Sequence, residues 1–276
     1  MTGGGVIGIA GCGSMGLPMA RQLHQAGVDV WGFDVRPACE FGDFENRMIT
    51  NPQDFAARVD TVISVVRNWS QTTDLCFDVQ KIFTAPQPPQ TLVVSSTLSP
   101  RVLESLAQRL PHGTTLVDAP MSGAPYRAEN GSLTFMVGGD EMVVSELADT
   151  FNIMGSVIHH LGPVGAGLTC KVINNFVAAS SVVAVRRAVQ AARLLGVDQR
   201  TMLAVMRTSS GGTWFGDNFA AIDWSGQGYD PENTIGILEK DMASFLDAMQ
   251  GVADDSDCPF EQAILAGLRK LEVLTE

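Results

Sequence analysis

The chain has 276 residues, enough for one large domain or two modest ones, and its 45% hydrophobic content supports a real core. With 18 Lys and Arg against 30 Asp and Glu, the net charge of −12 excludes the broad basic surface that nucleic acid or an anionic membrane rewards. The five cysteines are scattered and contain no C-x-x-C, which fits reduced thiols rather than a disulfide framework. Of the four histidines, only His159 and His160 are close, and adjacent residues cannot face one ion. No bound metal is expected.

The N-terminal stretch lacks a basic region before its short apolar run, so no leader peptide is expected. No segment reaches about 18 uninterrupted apolar residues, so no membrane span is expected. The expectation is a soluble, cytoplasmic protein with no nucleic-acid or membrane partner.

Val6 to Ala10 is a short apolar run of the kind buried in a parallel sheet. Gly11-Cys12-Gly13-Ser14-Met15-Gly16 follows as G-x-G-x-x-G. Gly11 permits the tight turn, Gly13 lets the backbone approach a pyrophosphate, and Gly16 lets a helix pack on the strand. Met19, Leu23 and Ala26 recur at helical spacing and Gly27 stops the helix. A second strand, Val28 to Phe33, ends at Asp34, 18 positions after Gly16. A carboxylate there suits the adenosine ribose of a dinucleotide. The helix N-terminus adds free N–H groups and a positive dipole end for the phosphates. Three structural glycines would explain the turn alone, but would leave Asp34 unexplained.

A short helix and loop follow from Phe41 to Asn51. Val59 to Val66 is a third apolar strand ending at Arg67-Asn68. Val66 and Asn68 therefore fall where a doubly wound sheet opens its ligand crevice. Ser70 to Phe83 is expected to be helical. Ala85 to Pro89 is a breaker-rich turn, and Thr91 to Ser95 is the next strand. It runs into Ser95-Ser96-Thr97-Leu98-Ser99-Pro100, whose hydroxyls suit either helix capping or a ligand, with capping expected of Ser99. Thr115 to Asp118 is a strand, Asp118 to Pro125 a turn rich in proline and small residues, and Leu133 to Val137 another strand. Met142 to Phe151 reads as a helix and Val157 to Leu161 as the last strand.

After Gly162 the pattern becomes helical. No proline interrupts from residue 164 to 195, and Gly196 is a natural stop. That is roughly 45 Å of helix. Thr201 to Met206, Ile235 to Gln250 and Phe260 to Leu274 also read as helices. The fold class is therefore α/β: an N-terminal Rossmann-type doubly wound sheet over 1–161, and an all-α domain over 162–276 that begins with the long interdomain helix. Small helical halves of this kind complete their core across a dimer interface, so a homodimer or homotetramer is expected.

Lys171 and Asn175 open the long helix, four apart on one face. Desolvation lowers a lysine's pKa toward neutrality, which suits a general acid or base. The spacing fits equally a solvated lysine and an asparagine bonded to backbone. Lys240 stands in IGILEKDM; by its residue type alone, exposure is expected.

Five segments, in order, resemble the β-hydroxyacid dehydrogenases, the group of 3-hydroxyisobutyrate dehydrogenase, tartronate semialdehyde reductase and glyoxylate/succinic semialdehyde reductase. They are GIAGCGSMGLPMARQL, SSTLSP, DAPMSGAPYRAENGSLTFMVGG, GAGLTCKVINN and KDM. The resemblance covers essentially the whole chain and implies a Rossmann-type domain, a long helix and a helical C-terminal domain. It implies hydride transfer between a nicotinamide cofactor and a small carboxylate-bearing hydroxyacid or its semialdehyde. It implies Lys171 as the catalytic lysine and Asn175 as the residue orienting substrate and lysine. Ser122, Gly123, Ala124 and Thr97 look like substrate or nicotinamide-side contacts, and Lys240 like a residue that closes the site. A lysine that polarises the carbonyl replaces a Lewis acid, again without a metal.

The departures concern the substrate. The usual D-x-S-T is Val94-Ser95-Ser96-Thr97, and the usual S-G-G is Ser122-Gly123-Ala124. Pro125-Tyr126-Arg127 replaces small residues, with Arg127 either pairing a second anionic group or lying at the surface, the latter expected. Asn233 stands where relatives often carry phenylalanine, and Arg187 where glutamate is frequent. Asp34-Val35 replaces the Asn-Arg of NADP-preferring relatives. Asp34 favours NAD, and Arg36 leaves NADP open. Two other readings remain. One is a catalytically silent NAD(P)-binding module, which retention of Lys171, Asn175, Ser122 and Lys240 opposes. The other is an imine reductase-like enzyme, whose members usually replace the lysine.

Overall fold

The computed structural model describes residues 5–252 and 258–274. By its contacts the chain divides into two compact units, Met1–Lys171 and Val172–Glu276.

The first unit is built on a five-stranded parallel sheet of β1 (Ile7–Ala10), β2 (Val30–Phe33), β3 (Thr61–Ser64), β4 (Thr91–Val94) and β5 (Thr115–Asp118), in the order β2-β1-β3-β4-β5. Ile7 pairs with Val30 on one side and Thr61 on the other. The chain reverses its direction of sheet growth between β1 and β3, so their carboxyl ends form the crevice where such sheets bind ligands. The strands are buried on both faces and alternate between two cores. Ile7, Ile9, Ile63, Val93 and Val117 face one that holds Met19, Leu23, Phe41, Phe44 and Phe151. Ala10, Val62, Leu92 and Val94 face the other, with Phe55, Phe83 and Leu106. This period of two is what fixes register in a sheet with no solvent face.

The last strands do not extend that sheet. β6 (Met121–Ser122), β7 (Leu133–Val137) and β8 (Gly155–His160) form a second sheet, with β6 antiparallel and β7–β8 parallel. A single bridge, Asp118 to Gly138, links the end of β5 to the segment after β7.

Seven helices accompany these strands in the described residues of the first unit: α1 (Gly16–Gln25), α2 (Pro52–Arg58), α3 (Trp69–Thr73), α4 (Val102–Arg109), α5 (Pro125–Glu129), α6 (Glu141–Glu146) and α7 (Ala148–Met154). The helix expected over Ser70 to Phe83 is interrupted. A π turn at Asp74–Asp78 follows α3, and Lys81 then takes a left-handed conformation. Met142 to Phe151 is split between α6 and α7.

α8 (Ala166–Leu194) is the long helix, within two residues of its expected ends. By length and composition alone it passes the test for a membrane span, as a long core helix also does. Its Ala179, Val182, Val185 and Val189 instead supply the core of the second unit, where they meet Met206, Ile235, Met242 and Leu268. The other helices there are α9 (Gln199–Arg207), α10 (Trp214–Asp217), α11 (Thr234–Met249) and α12 (Pro259–Arg269). Arg186 is buried in this unit, and its guanidinium donates to the carbonyls of Ser225, Gln227 and Glu272. It thereby ties two irregular segments to α8.

Candidate active site

The glycine turn sits at the carboxyl end of β1. Gly11 has φ +95°, and a Cβ there would lie 2.9 Å from the Val65 carbonyl oxygen and 3.2 Å from Val66 N. The turn therefore needs glycine, and it brings Val66 alongside. A Cβ on Gly16 would lie 2.0 Å from the Gly11 carbonyl oxygen, so only glycine lets α1 start so close to β1. Gly13 differs: a Cβ there meets nothing within 4 Å. The protein itself does not demand glycine at this position, whereas a group lying against the backbone would. α1 begins beside it with no acidic residue in its first turn, leaving its positive end uncancelled. Ser14 is exposed and Met15 half-buried against the core.

Asp34 closes this region. Its Oδ2 accepts from the Cys12 N–H at 2.9 Å, and its Oδ1 pairs with Arg36 Nε at 3.0 Å. Burial pushes the Asp34 carboxyl up. The Arg36 hydrogen bonds and charge, with the Cys12 N–H, outweigh burial and hold it below 3.8. Cys12 is buried and its thiol is pushed up to about 12 by desolvation and by Asp34, so it is a packing group and not a nucleophile. A cleft of about 670 Å³ opens past Asp34, lined also by Val35, Arg36, Pro37, Thr50, Pro52 and Gln80.

Further along the crevice the hydroxyls of Ser64, Ser95 and Ser96 are buried and make no hydrogen bond. Thr97 is half-buried beside them. Ser99 Oγ accepts from the Arg101 N–H at 3.4 Å in the turn before α4, but the N-cap of that helix is Arg101 with no side-chain cap bond, so Ser99 is not the capping residue expected. Asn68 Oδ1 accepts from the Gln71 N–H at 2.9 Å and so caps α3, while the residue itself stays exposed at the strand end.

The D-A-P-M-S-G-A segment is not a simple turn. Ser122 lies in β6 opposite Thr134. Gly123 has φ +138°, and a Cβ would meet Leu133 at 2.9 Å and Arg127 Cβ at 3.1 Å. Ala124 starts α5 as its N-cap. Arg127 is partly exposed, with its stem lying against Gly123.

Asp118 opens the same segment, and the sequence reading did not single it out. It is fully buried. Its Oδ1 accepts from the Gly165 N–H and its Oδ2 from the Leu168 N–H, both at 2.6 Å. One carboxylate thus satisfies donors at the start of α8 and anchors the turn that precedes Lys171. Burial nevertheless raises its pKa above 3.8 against these bonds.

Lys171 and Asn175 are each only 7% exposed on α8. In the second unit, Asn175 Nδ2 donates to Asp241 Oδ2 at 2.6 Å, and Lys240 Nζ pairs with Asp241 Oδ1 at 2.8 Å. The alternative of a solvated lysine and a backbone-bonded asparagine is not what the structure has: Lys171 is buried and the Asn175 amide donates to a side-chain carboxylate. Lys240 is not a surface lysine either; its side chain is 31% exposed and held by a buried carboxylate. Asp241, which the sequence reading left without a role, joins the two. An acid next to a partly apolar lysine was the available signal, but its partner lies 66 positions away.

The sequence profile described as the NAD binding domain of 6-phosphogluconate dehydrogenase matches residues 6–162. A second, the NAD-binding region of NADP-dependent 3-hydroxyisobutyrate dehydrogenase, matches 165–264. Human mitochondrial 3-hydroxyisobutyrate dehydrogenase is 31% identical over 95% of this chain and 78% of its own length. The L-threonate dehydrogenase of Cupriavidus necator is 31% identical over 87% of this chain and 82% of its own. The chain belongs to the β-hydroxyacid dehydrogenase family. A solved Mycobacterium tuberculosis 3-hydroxyisobutyrate dehydrogenase with L-serine superposes with a TM-score of 0.78 at 27% identity, over 95% of this chain and 91% of that one.

As a β-hydroxyacid dehydrogenase the protein is an NAD(P)-dependent oxidoreductase of CH–OH groups. The glycine turn, the open face at Gly13, the free end of α1 and the terminal Asp34 fit a dinucleotide. Two family departures have structural explanations. Asn233 caps α11: its Oδ1 accepts from the Ile235 and Gly236 N–H groups and its Nδ2 donates to the Gly228 carbonyl. Its side chain thus serves the start of α11 at both ends of the amide. Arg187 is exposed and bonds Gln190 one turn on.

Proposed function

We propose that this β-hydroxyacid dehydrogenase interconverts a small β-hydroxyacid of the 3-hydroxyisobutyrate type and its semialdehyde, with Lys171 as general acid and base. The observation that carries the reading is the pairing on α8: a buried lysine, and one turn on a buried asparagine fixed by a carboxylate at 2.6 Å. Oxidised nicotinamide, when bound, supplies the hydride acceptor. In the oxidation, Lys171 Nζ takes the proton of the substrate hydroxyl as the C–H bond breaks; in the reduction it returns that proton to the carbonyl oxygen. Asn175 holds the reacting oxygen in line, because its amide is oriented by Asp241. Ser122, Gly123, Ala124 and Thr97 receive the substrate carboxylate and the nicotinamide side, Lys240 adds positive charge against the carboxylate, and Arg127 faces the remaining end of the substrate.

In this reading residues 1–161 bind the dinucleotide, through Gly11, Gly13, Ser14, Met15, Gly16, Asp34, Val66 and Asn68, with Thr97 and Lys240 at its nicotinamide end. Residues 162–276 serve substrate binding and self-association. Asp34 favours NAD. The enzyme is soluble, cytoplasmic and a homodimer or homotetramer, a state supported by the exposed apolar Ile173 and Val177 on α8. The test is absorbance at 340 nm with NAD and NADP against 3-hydroxyisobutyrate, 3-hydroxypropionate, serine, glycerate and threonate. Turnover of at least one is expected; silence across the panel with NADH still bound would favour a non-catalytic module.

A further inference from the structure

The segment from Asp118 to Ser122 runs antiparallel to residues 134–138. Asp118 and Gly138 exchange backbone hydrogen bonds at 3.0 and 2.8 Å, the Met136 N–H donates to the Pro120 carbonyl at 3.0 Å, and Ser122 stands opposite Thr134. Side chains alternate across such a ladder. Met121, Phe135 and Val137 enter the core, so Asp118, Ser122 and Thr134 share the other face. At one end of that face Asp118 holds the start of α8. At the other end the ladder stops at the Ser122–Thr134 rung, before Gly123 turns away with φ +138°. Both residues of this rung are half-buried, and neither hydroxyl has a hydrogen-bond partner among the described residues. The nearby serines differ: Ser132 Oγ donates to the Arg127 carbonyl at 3.3 Å, and Ser156 Oγ to the Ser132 carbonyl at 3.4 Å. Val157, opposite Thr134 on its other side, is apolar, so the free hydroxyls of this row are a pair.

We propose that Thr134 is a second residue for the substrate carboxylate: its hydroxyl and that of Ser122 each donate to one oxygen of the same carboxylate. This rests on the reading of the chain as acting on a small hydroxyacid with Ser122 at its carboxylate. Directly opposed Cβ atoms in an antiparallel pair lie about 5 Å apart. Two hydroxyls that each approach one carboxylate oxygen at about 2.7 Å stand a similar distance apart. The backbone ladder fixes that spacing, so the clamp is set before the substrate arrives. Hydrogen bonds to an ionised acceptor are about twice as strong as neutral ones, so the pair favours an acid over a neutral alcohol.

Steady-state kinetics of wild type, Thr134→Val, Thr134→Ala and Thr134→Ser test this on the hydroxyacid that wild type turns over fastest. Competitive inhibition by isobutyrate probes the carboxylate alone, and NADH affinity is measured on the same preparations. Thr134→Val removes the hydroxyl while keeping the shape and strand preference of the residue. Thr134→Ala removes it with less bulk and must give the same result. Both are expected to raise KM and the isobutyrate inhibition constant together by about tenfold to a hundredfold. The kcat should stay within about threefold of wild type and NADH affinity should be unchanged. Thr134→Ser, which keeps the hydroxyl, should stay within about threefold of wild type throughout. A hydroxyl-free variant with the KM of wild type would overturn the proposal. So would a rise in KM that Thr134→Ser shares in full, since that would mark a packing role. A wild type that turns over no hydroxyacid would overturn the functional reading itself, and the clamp with it.

Discussion

Replacing Asp118 by alanine removes the residue that anchors the turn before the proposed catalytic lysine. Two effects oppose. The carboxylate is fully buried and costly to keep ionised, as its raised pKa records. Against that, Gly165 and Leu168 each donate to it at 2.6 Å, and without it those donors are stranded at a buried helix end. A hydrogen bond to a charged group contributes about 1.5–3 kcal/mol, and a buried unsatisfied N–H costs about 1–3 kcal/mol. With two donors, and relief of the carboxylate's desolvation subtracted, the expected loss is about 2–4 kcal/mol for Asp118→Ala. Asp118→Asn keeps one acceptor and should lose about half as much. Urea unfolding followed by far-ultraviolet circular dichroism measures both. The sign of the pH dependence follows from the raised pKa: the group's contribution is fully present below 3.8 and is lost as pH rises through the folded value. Relative to Asp118→Asn, the wild type should therefore lose stability over that rise. A change below about 0.5 kcal/mol for the alanine variant would refute the anchoring argument.

Three glycines and an aspartate give further tests. Gly13→Ala should fold normally, with a thermal midpoint within about 2 °C of wild type, because its Cβ meets nothing; yet it should weaken NADH by about tenfold or more in a fluorescence titration. Gly16→Ala, with a Cβ 2.0 Å from the Gly11 carbonyl oxygen, should fail on both counts, and normal stability there would sink the packing argument. Gly123→Ala combines φ +138° with a 2.9 Å approach to Leu133, so a lowered thermal midpoint is expected in calorimetry. Asp241→Asn removes the charge that holds Lys240 and Asn175. It should lower kcat by about tenfold to a hundredfold with NADH affinity intact, and unchanged steady-state kinetics would contradict the positioning role.

What was legible in the sequence is what depends on local pattern. β5 falls on Thr115–Asp118 as read, and α8 on Ala166–Leu194 against an expected 164–195, because apolar period and a terminal glycine are local signals. The glycine turn and Asp34 are equally local. What was missed depends on distant partners. β6 is two residues long and exists only because Met121 and Ser122 pair with Phe135 and Thr134, so its proline-rich sequence reads as loop. The expected helix ends by Asp78, and Lys81 then turns left-handed, in a run from Asp78 to Thr84 that carries no glycine or proline. Asp118 finds its donors 47 and 50 residues away, and Asp241 finds Asn175 66 residues away. No spacing rule reaches that far. Asn233 was legible only as a departure from a frequent phenylalanine; that it caps α11 follows from its backbone partners and not from the comparison of residue types.

Proton transfer by Lys171 is the centre of the proposed reaction. The decisive measurement is the NAD(P)-linked turnover rate of Lys171→Ala on an accepted hydroxyacid, with the NADH dissociation constant measured on the same preparation. A fall in kcat of about a hundredfold to ten-thousandfold is expected, with the dissociation constant unchanged. A variant that binds NADH normally and turns over within about threefold of wild type would contradict it.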